Sequence, residues 1–109
     1  TTWRQQAKLT ALDGAADDRF GRSVALAGDT AVIGAMFQDD MGDNSGSTYV
    51  FTRTDDIWSQ QTKLTAADGA ADDVFGWSVA ISGDTTVIGA ARNDGNESGS
   101  AYVFDIDNK

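Results

Sequence analysis

The sequence predicts an all-β protein, a β-propeller with two four-stranded antiparallel blades in each chain. The first reason is an internal repeat: between Trp3 and Ala35, an offset of 55 residues aligns 33 positions, of which 25 are identical. The second is that each repeat holds four short apolar segments separated by turn residues, the strand pattern of a propeller blade. Because two blades cannot close a ring, we expect oligomerisation to complete it.

The repeat divides the chain into residues 1–54 and residues 55–109. After Ala35 the offset falls to 53, because Ser45–Phe51 matches Ser98–Phe104 at six of seven positions. A deletion of two residues is tolerated best in a loop, so the segment after Ala35 is predicted to lie on the surface. The first repeat is expected to begin with the outer strand of a blade that another chain completes.

The inner part of each blade is predicted to be a β-hairpin. In the first repeat, Ser23–Ala27 and Thr30–Ala35 are apolar runs joined by Gly28 and Asp29, a pair typical of tight hairpins. Both faces of the first run are apolar. A strand that is apolar on both faces is usually buried on both sides, so we expect other layers above and below this hairpin.

The outer and third strands are predicted on either side of this hairpin in the sequence. Thr2–Ala11 alternates apolar and polar residues, which indicates a half-exposed strand, and Trp58–Ala66 repeats the pattern. Trp3 and Trp58 begin these equivalent strands, so both are expected to be packing residues. Ser47–Thr52 is predicted to be the third strand.

The composition excludes several classes of function. The 109 residues include no histidine and no cysteine, which removes the commonest general base and the thiolate ligands of metal sites. The net charge of −9 opposes binding to nucleic acid, and no apolar run approaches the roughly 20 residues of a membrane-spanning helix. Only carboxylates remain as catalytic groups, and they lie in turn-like segments without an apolar pocket. We therefore expect no enzymatic activity.

Each repeat carries a Phe-Gly pair before its first inner strand and a Gly-Ala pair at the end of its second: Phe20, Gly21, Gly34 and Ala35, then Phe75, Gly76, Gly89 and Ala90. These motifs resemble the FG-GAP repeat of the integrin α-subunit propeller. The resemblance is closer to bacterial FG-GAP repeats, which share a KLTA…DGAADDxFGxSVAISGD core. It implies a propeller fold and a binding or adhesive role outside the cell or at its surface.

The calcium site of the integrin repeats is not expected at the same place here. In those repeats a calcium loop joins the two inner strands, whereas this chain has only two residues at that connection. Two residues cannot surround a cation that takes about six to eight oxygen ligands. The Asp- and Asn-rich loops that follow the inner hairpins could instead bind calcium or another hard cation, with these ligands: Asp39, Asp40, Asp43 and Asn44, or Asn93, Asp94, Asn96 and Glu97. The alternative is a solvated loop.

Residues that differ between the two near-identical repeats are not needed by the blade, so they are candidates for ligand contact. The candidates are Met36, Phe37, Met41, Trp77 and Arg92. The ligand is expected to be a protein or a glycan. In a lectin-like alternative, a sugar would stack on Trp77 or Phe37.

Strand order predicts how the ring is completed. Trp3–Ala11 of one chain would complete the second blade of the next chain. Such a head-to-tail contact closes when its rotation divides the circle, which favours a trimer with six blades and then a tetramer with eight. The alternative is that the sequence is a two-blade fragment of a longer FG-GAP protein, natural or engineered.

Overall fold

The computed structural model describes residues 2–11, 19–35, 46–65, 74–90 and 100–105. The strands in these ranges are β1 Phe20–Ala27, β2 Thr30–Ala35, β3 Ser47–Thr54, β4 Ile57–Leu64, β5 Phe75–Ser82, β6 Thr85–Ala90 and β7 Ser100–Asp105. They form two antiparallel sheets with the orders β1-β2-β3-β4 and β5-β6-β7. We call the first sheet blade 1 and the second blade 2. The all-β prediction is confirmed; blade 2 has three strands among the described residues, and its fourth strand was predicted to come from another chain.

A bulge near the start of β1 and of β5, the first strand of each hairpin, explains the Phe-Gly pair. The register of β1 against β2 shifts between Phe20 and Ser23, and Gly21 has a φ of +94° within this irregular stretch. Glycine adopts a positive φ without the steric cost that other residues meet. The bend lets the ring of Phe20 meet Tyr49 and Phe51 edge-on, at centroid distances of 5.4 and 6.0 Å. Phe75 makes the equivalent contacts in blade 2.

The predicted hairpins are confirmed, with small changes in their limits. Gly28 and Asp29 form the two-residue turn between β1 and β2. Strand β3 extends to Thr54 because Asp55 and Asp56 both have positive φ values, of 52° and 69°. Two such residues make the turn that matches the twist of paired strands, so β4 follows at once.

Each blade has two faces, which the strand register defines. The front face of blade 1 carries Val24, Leu26, Ala31, Ile33, Tyr49 and Phe51. Its back face carries Ser23, Ala25, Val32, Gly34, Thr48 and Val50. The repeat places the front face of blade 2 at Val79, Ile81, Thr86, Ile88, Tyr102 and Phe104. Its back face carries Ser78, Ala80, Val87, Gly89, Ala101 and Val103.

The back face of blade 1 stacks on the front face of blade 2. The hydroxyl of Ser23 donates a hydrogen bond to the carbonyl oxygen of Gly76 at 2.8 Å. Leu64 from β4 packs against the buried cluster of Phe75, Ile88 and Ala90. Stacking of one blade on the next is the arrangement from which a propeller ring is built.

The N-terminal segment, residues 2–11, differs from the prediction. It forms no strand, so the predicted strand at Thr2–Ala11 is wrong for the single chain. It lies along blade 1, where Leu9 and Ala11 pack against the cluster of the front face. In blade 1 the place beside β3, where the outer strand of a blade pairs, is already taken by β4.

Two predictions of burial are also wrong for the single chain. Trp3 is 93% exposed, although Trp58 packs against the front-face cluster as expected. Val24 and Leu26 are 65% and 66% exposed, so β1 is not buried on both sides. In both cases the described residues supply no second layer, and the apolar side chains remain open to solvent.

Candidate functional site

Most of the residues predicted to form a site lie outside the described residues. They comprise all eight candidate cation ligands and four of the five candidate ligand contacts: Asp39, Asp40, Asp43, Asn44, Asn93, Asp94, Asn96 and Glu97, with Met36, Phe37, Met41 and Arg92. The calcium site therefore stays a prediction. Within the described ranges, no group of three or more acidic residues is placed to hold a metal ion.

Trp77 is the candidate ligand contact that the structure describes, and it lies at the inner edge of the stacked blades. It follows Gly76 at the bulge of β5, where its backbone N–H donates to the carbonyl of Val74 at 3.0 Å. Its side chain is 44% exposed. Part of the indole is therefore accessible to a ligand.

Arg22 joins Trp77 at this edge. It holds the equivalent position in β1, and its guanidinium carbon lies 5.6 Å from the centroid of the Trp77 ring. A cation over an aromatic face contributes about 0.5–1 kcal/mol at exposed sites. The pair combines an aromatic surface, on which a sugar or another ring can stack, with guanidinium donors for oxygen atoms. We call it the Arg22–Trp77 pair; Arg22 was not among the site residues predicted from the sequence.

A second polar cluster connects the turns at one end of blade 1. Arg53 forms an ion pair with Asp29 at 2.7 Å, and its guanidinium lies 5.2 Å from the ring of Trp58. The indole N–H of Trp58 donates to the side-chain oxygen of Gln6 at 2.9 Å. The amide of Gln6 donates to Asp56 at 3.4 Å. These contacts hold the N-terminal segment against β4, which gives the cluster a structural role.

Two apolar surfaces remain open at opposite ends of the stack. One is a groove of about 550 Å³ between the N-terminal segment and the front face of blade 1, bordered by Leu9, Leu26, Ile33 and Trp58. The other is the back face of blade 2, where Val87 is 39% and Val103 is 68% exposed. Exposed apolar patches of this kind mark sites of protein association. Because both repeats have the same apolar pattern, the sequence could not show which blade faces are covered and which stay exposed.

Comparison with known proteins identifies the family of the repeats. The profile of the FG-GAP repeat matches residues 3–51 and again residues 58–104, which together cover most of the chain. Among curated proteins, no relative matches the sequence. Across the described ranges, no helix has the length and apolar character to span a membrane. The two family matches coincide with the two sequence repeats, and the chain belongs to the FG-GAP repeat family.

Proposed function

We propose that the chain is a two-blade unit of a non-enzymatic β-propeller that acts in binding or adhesion at the cell surface or outside the cell. Further copies would join it head-to-tail to complete the ring. One observation carries this proposal: the front face of blade 2 stacks on the back face of blade 1, as successive blades do in a propeller. The absence of histidine and cysteine supports a role in binding rather than catalysis.

The open surfaces support assembly from several copies. The stack has an uncovered front face at one end and an uncovered back face at the other, where Leu26 and Val103 are each about two thirds exposed. A contact between two different surfaces is heterologous, so it generates a ring if its rotation closes. Three copies would supply six blades and four copies eight, both within the usual range of about four to eight.

Light scattering coupled to size-exclusion chromatography tests this proposal. We expect a folded species at three times the chain mass of 11.5 kDa, with four times as the alternative ring. The circular dichroism spectrum of the same fraction should be that of a β-protein. A folded, soluble monomer at all concentrations up to about 100 μM would refute the ring.

A second candidate function is carbohydrate binding, which the Arg22–Trp77 pair favours. A sugar ring would stack on the indole of Trp77, and the guanidinium of Arg22 would donate hydrogen bonds to its oxygens. A glycan array on the purified protein tests this function directly. Binding should be lost in Trp77→Ala and retained in Ile57→Ala, a change at another exposed apolar residue in the turn region of blade 1. An array with no signal would leave a protein ligand as the function to pursue.

A further inference from the structure

We infer that the groove on the front face of blade 1 receives the back face of blade 2 from a second copy of the chain. This contact would reproduce, between copies, the stacking that the two blades already make within one chain. The inference rests on the ring proposed above and adds the surfaces and the residues that form each junction. It is drawn from the equivalence of the two repeats and from two independent features of the single chain.

The first feature is that the groove is an enlarged copy of the cavity between the blades. That cavity measures about 240 Å³, and its walls include Thr62, Leu64, Ile81 and Thr86. The groove measures about 550 Å³ and is lined by the four equivalent residues of the first repeat: Ala7, Leu9, Leu26 and Ala31. The same half of an interface is therefore present twice in the chain.

The other half of the interface explains the difference in volume. Thr30 and Val50 close the internal cavity from the back face of blade 1. The repeat places their equivalents at Thr85 and Val103, which belong to the back region of blade 2 and are exposed. Thr85 and Val103 cannot reach the groove of their own chain, because the groove lies at one end of the stack of blades and these two residues lie at the other. A second copy can supply them, and Val103 would then fill the groove beside Leu26.

The second feature is the position of the N-terminal segment. Leu9 packs against the front-face cluster of blade 1 as Leu64 packs against that of blade 2. Leu64 does so as part of the fourth strand of the preceding blade. The N-terminal segment therefore occupies the place of a fourth strand whose three partner strands are supplied by another copy. Strand β7, an edge strand among the described residues of blade 2, is the partner that this strand would pair with.

The register between β3 and β4 fixes this pairing. Thr48 lies opposite Leu64, Val50 opposite Thr62 and Thr52 opposite Ser59. Transferred through the repeat, the same register places Ala101 opposite Leu9, Val103 opposite Ala7 and Asp105 opposite Arg4. The last pair brings opposite charges together where blade 1 has the uncharged Thr52 and Ser59, and such cross-strand pairs are favourable. Both charged residues are exposed in the single chain, so they are available for this contact.

The test uses two variants that each block one side of the junction. Leu26→Asp places a charge in the groove, and Val103→Asp places one on the surface that fills it. Both side chains are about two thirds exposed, so the single chain should keep its fold. Burying an unpaired charge at an interface should weaken self-association by about 100-fold or more. Ile57→Asp is the matched control and should assemble normally, because this residue is 70% exposed and the strand register puts it on the opposite face of blade 1 from Trp58 and the groove.

Mixing the two blocked variants distinguishes this junction from any symmetric contact. The Leu26→Asp chain keeps an unaltered back face on blade 2, and the Val103→Asp chain keeps an unaltered groove on blade 1. The two variants can therefore form one junction with each other. Light scattering at about 0.15 M salt, where the net charge of −9 is screened beyond roughly 8 Å, should show a 1:1 dimer that does not grow further. A charge exchange, Arg4→Asp with Asp105→Arg, should restore part of the affinity that either change alone removes.

The outcomes separate this inference from the proposed ring. If the wild-type chain assembles and both Asp variants assemble equally well, the ring stands and the junction between Leu26 and Val103 is wrong. If only Leu26→Asp blocks assembly, the front faces pair with each other and the head-to-tail junction is overturned. A wild-type chain that stays monomeric would overturn both, leaving a repeat of different sequence as the occupant of the groove.

Discussion

Alanine substitutions at two glycines that share the same backbone conformation can measure how closely the two blades pack. Gly21 and Gly76 are equivalent in the repeats, and both have a φ of +94°. A Cβ at Gly76 would lie 2.6 Å from the carbonyl oxygen of Ser47, which belongs to blade 1. A Cβ at Gly21 would have no atom within 4 Å in the single chain. The change to alanine therefore imposes the same backbone strain at both positions but a collision at only one.

The magnitudes follow from this geometry. A side chain at a positive φ costs about 1–2 kcal/mol, and this cost should reduce the free energy of unfolding equally in Gly21→Ala and Gly76→Ala. Gly76→Ala must in addition move the blades apart by about 0.8 Å, to reach the 3.4 Å at which ordinary contacts begin. Overpacking of this kind costs about 1–3 kcal/mol. Gly76→Ala should therefore be less stable than Gly21→Ala by about 1–3 kcal/mol.

Urea denaturation followed by far-ultraviolet circular dichroism measures this difference. The chain must be dilute enough to be monomeric, because Gly21 would face Ser100 of a second copy in the proposed junction. The m-values of the two variants should agree, which shows that their unfolding exposes the same surface. Equal stabilities, within about 0.5 kcal/mol, would refute the view that the blades meet backbone to backbone at Gly76.

Three further predictions concern other parts of the chain. The hydroxyl of Thr48 is buried and has no hydrogen-bond partner among the described residues, so Thr48→Val should raise the free energy of unfolding by about 1 kcal/mol in urea denaturation. Arg53→Met should lower it by only about 0.5–1 kcal/mol, because the ion pair with Asp29 is largely exposed; a loss above about 2 kcal/mol would contradict this interpretation. If the acidic loops at residues 36–45 and 91–98 bind calcium, thermal melts in millimolar calcium should show a higher Tm than melts with a chelator, and identical Tm values would remove the calcium site.

The local structure could be predicted because it depends on residues close together in the sequence. The turn at Gly28 and Asp29 follows from a residue pair that closes tight hairpins, and the strands on either side follow from their apolar runs. The order of the four strands in blade 1 follows from the same pattern, since strands that are consecutive in the sequence usually pair as neighbours. The bulge at Gly21 was not predicted, although a glycine beside an aromatic residue at the start of a strand is a recognisable signal.

The burial of the blade surfaces could not be predicted in the same way, because it depends on what lies next to each blade. Val24 and Val79 are equivalent and have the same neighbours in sequence, yet Val24 is 65% exposed while Val79 packs against a buried cluster. The difference is that blade 1 covers Val79, whereas the described residues supply no blade to cover Val24. Trp58 packs on the front face of its own blade, whereas no described strand pairs with the segment that carries Trp3. A repeat pattern predicts the environment of a complete ring, and the described residues of the single chain form only one of its blade junctions.

The positions at which the two repeats differ support the proposal that two blades are the unit of assembly. Arg22 and Trp77 are equivalent, and the guanidinium of one lies over the ring of the other across the blade interface. Two identical repeats would place arginine beside arginine at that point. In the proposed junction, Arg4 and Asp105 form a charge pair that the interface within the chain lacks. Junctions within and between copies would then be chemically distinct and alternate around the ring. Each differing pair would favour its own kind of junction, so specificity for head-to-tail order would come from the divergence of the repeats.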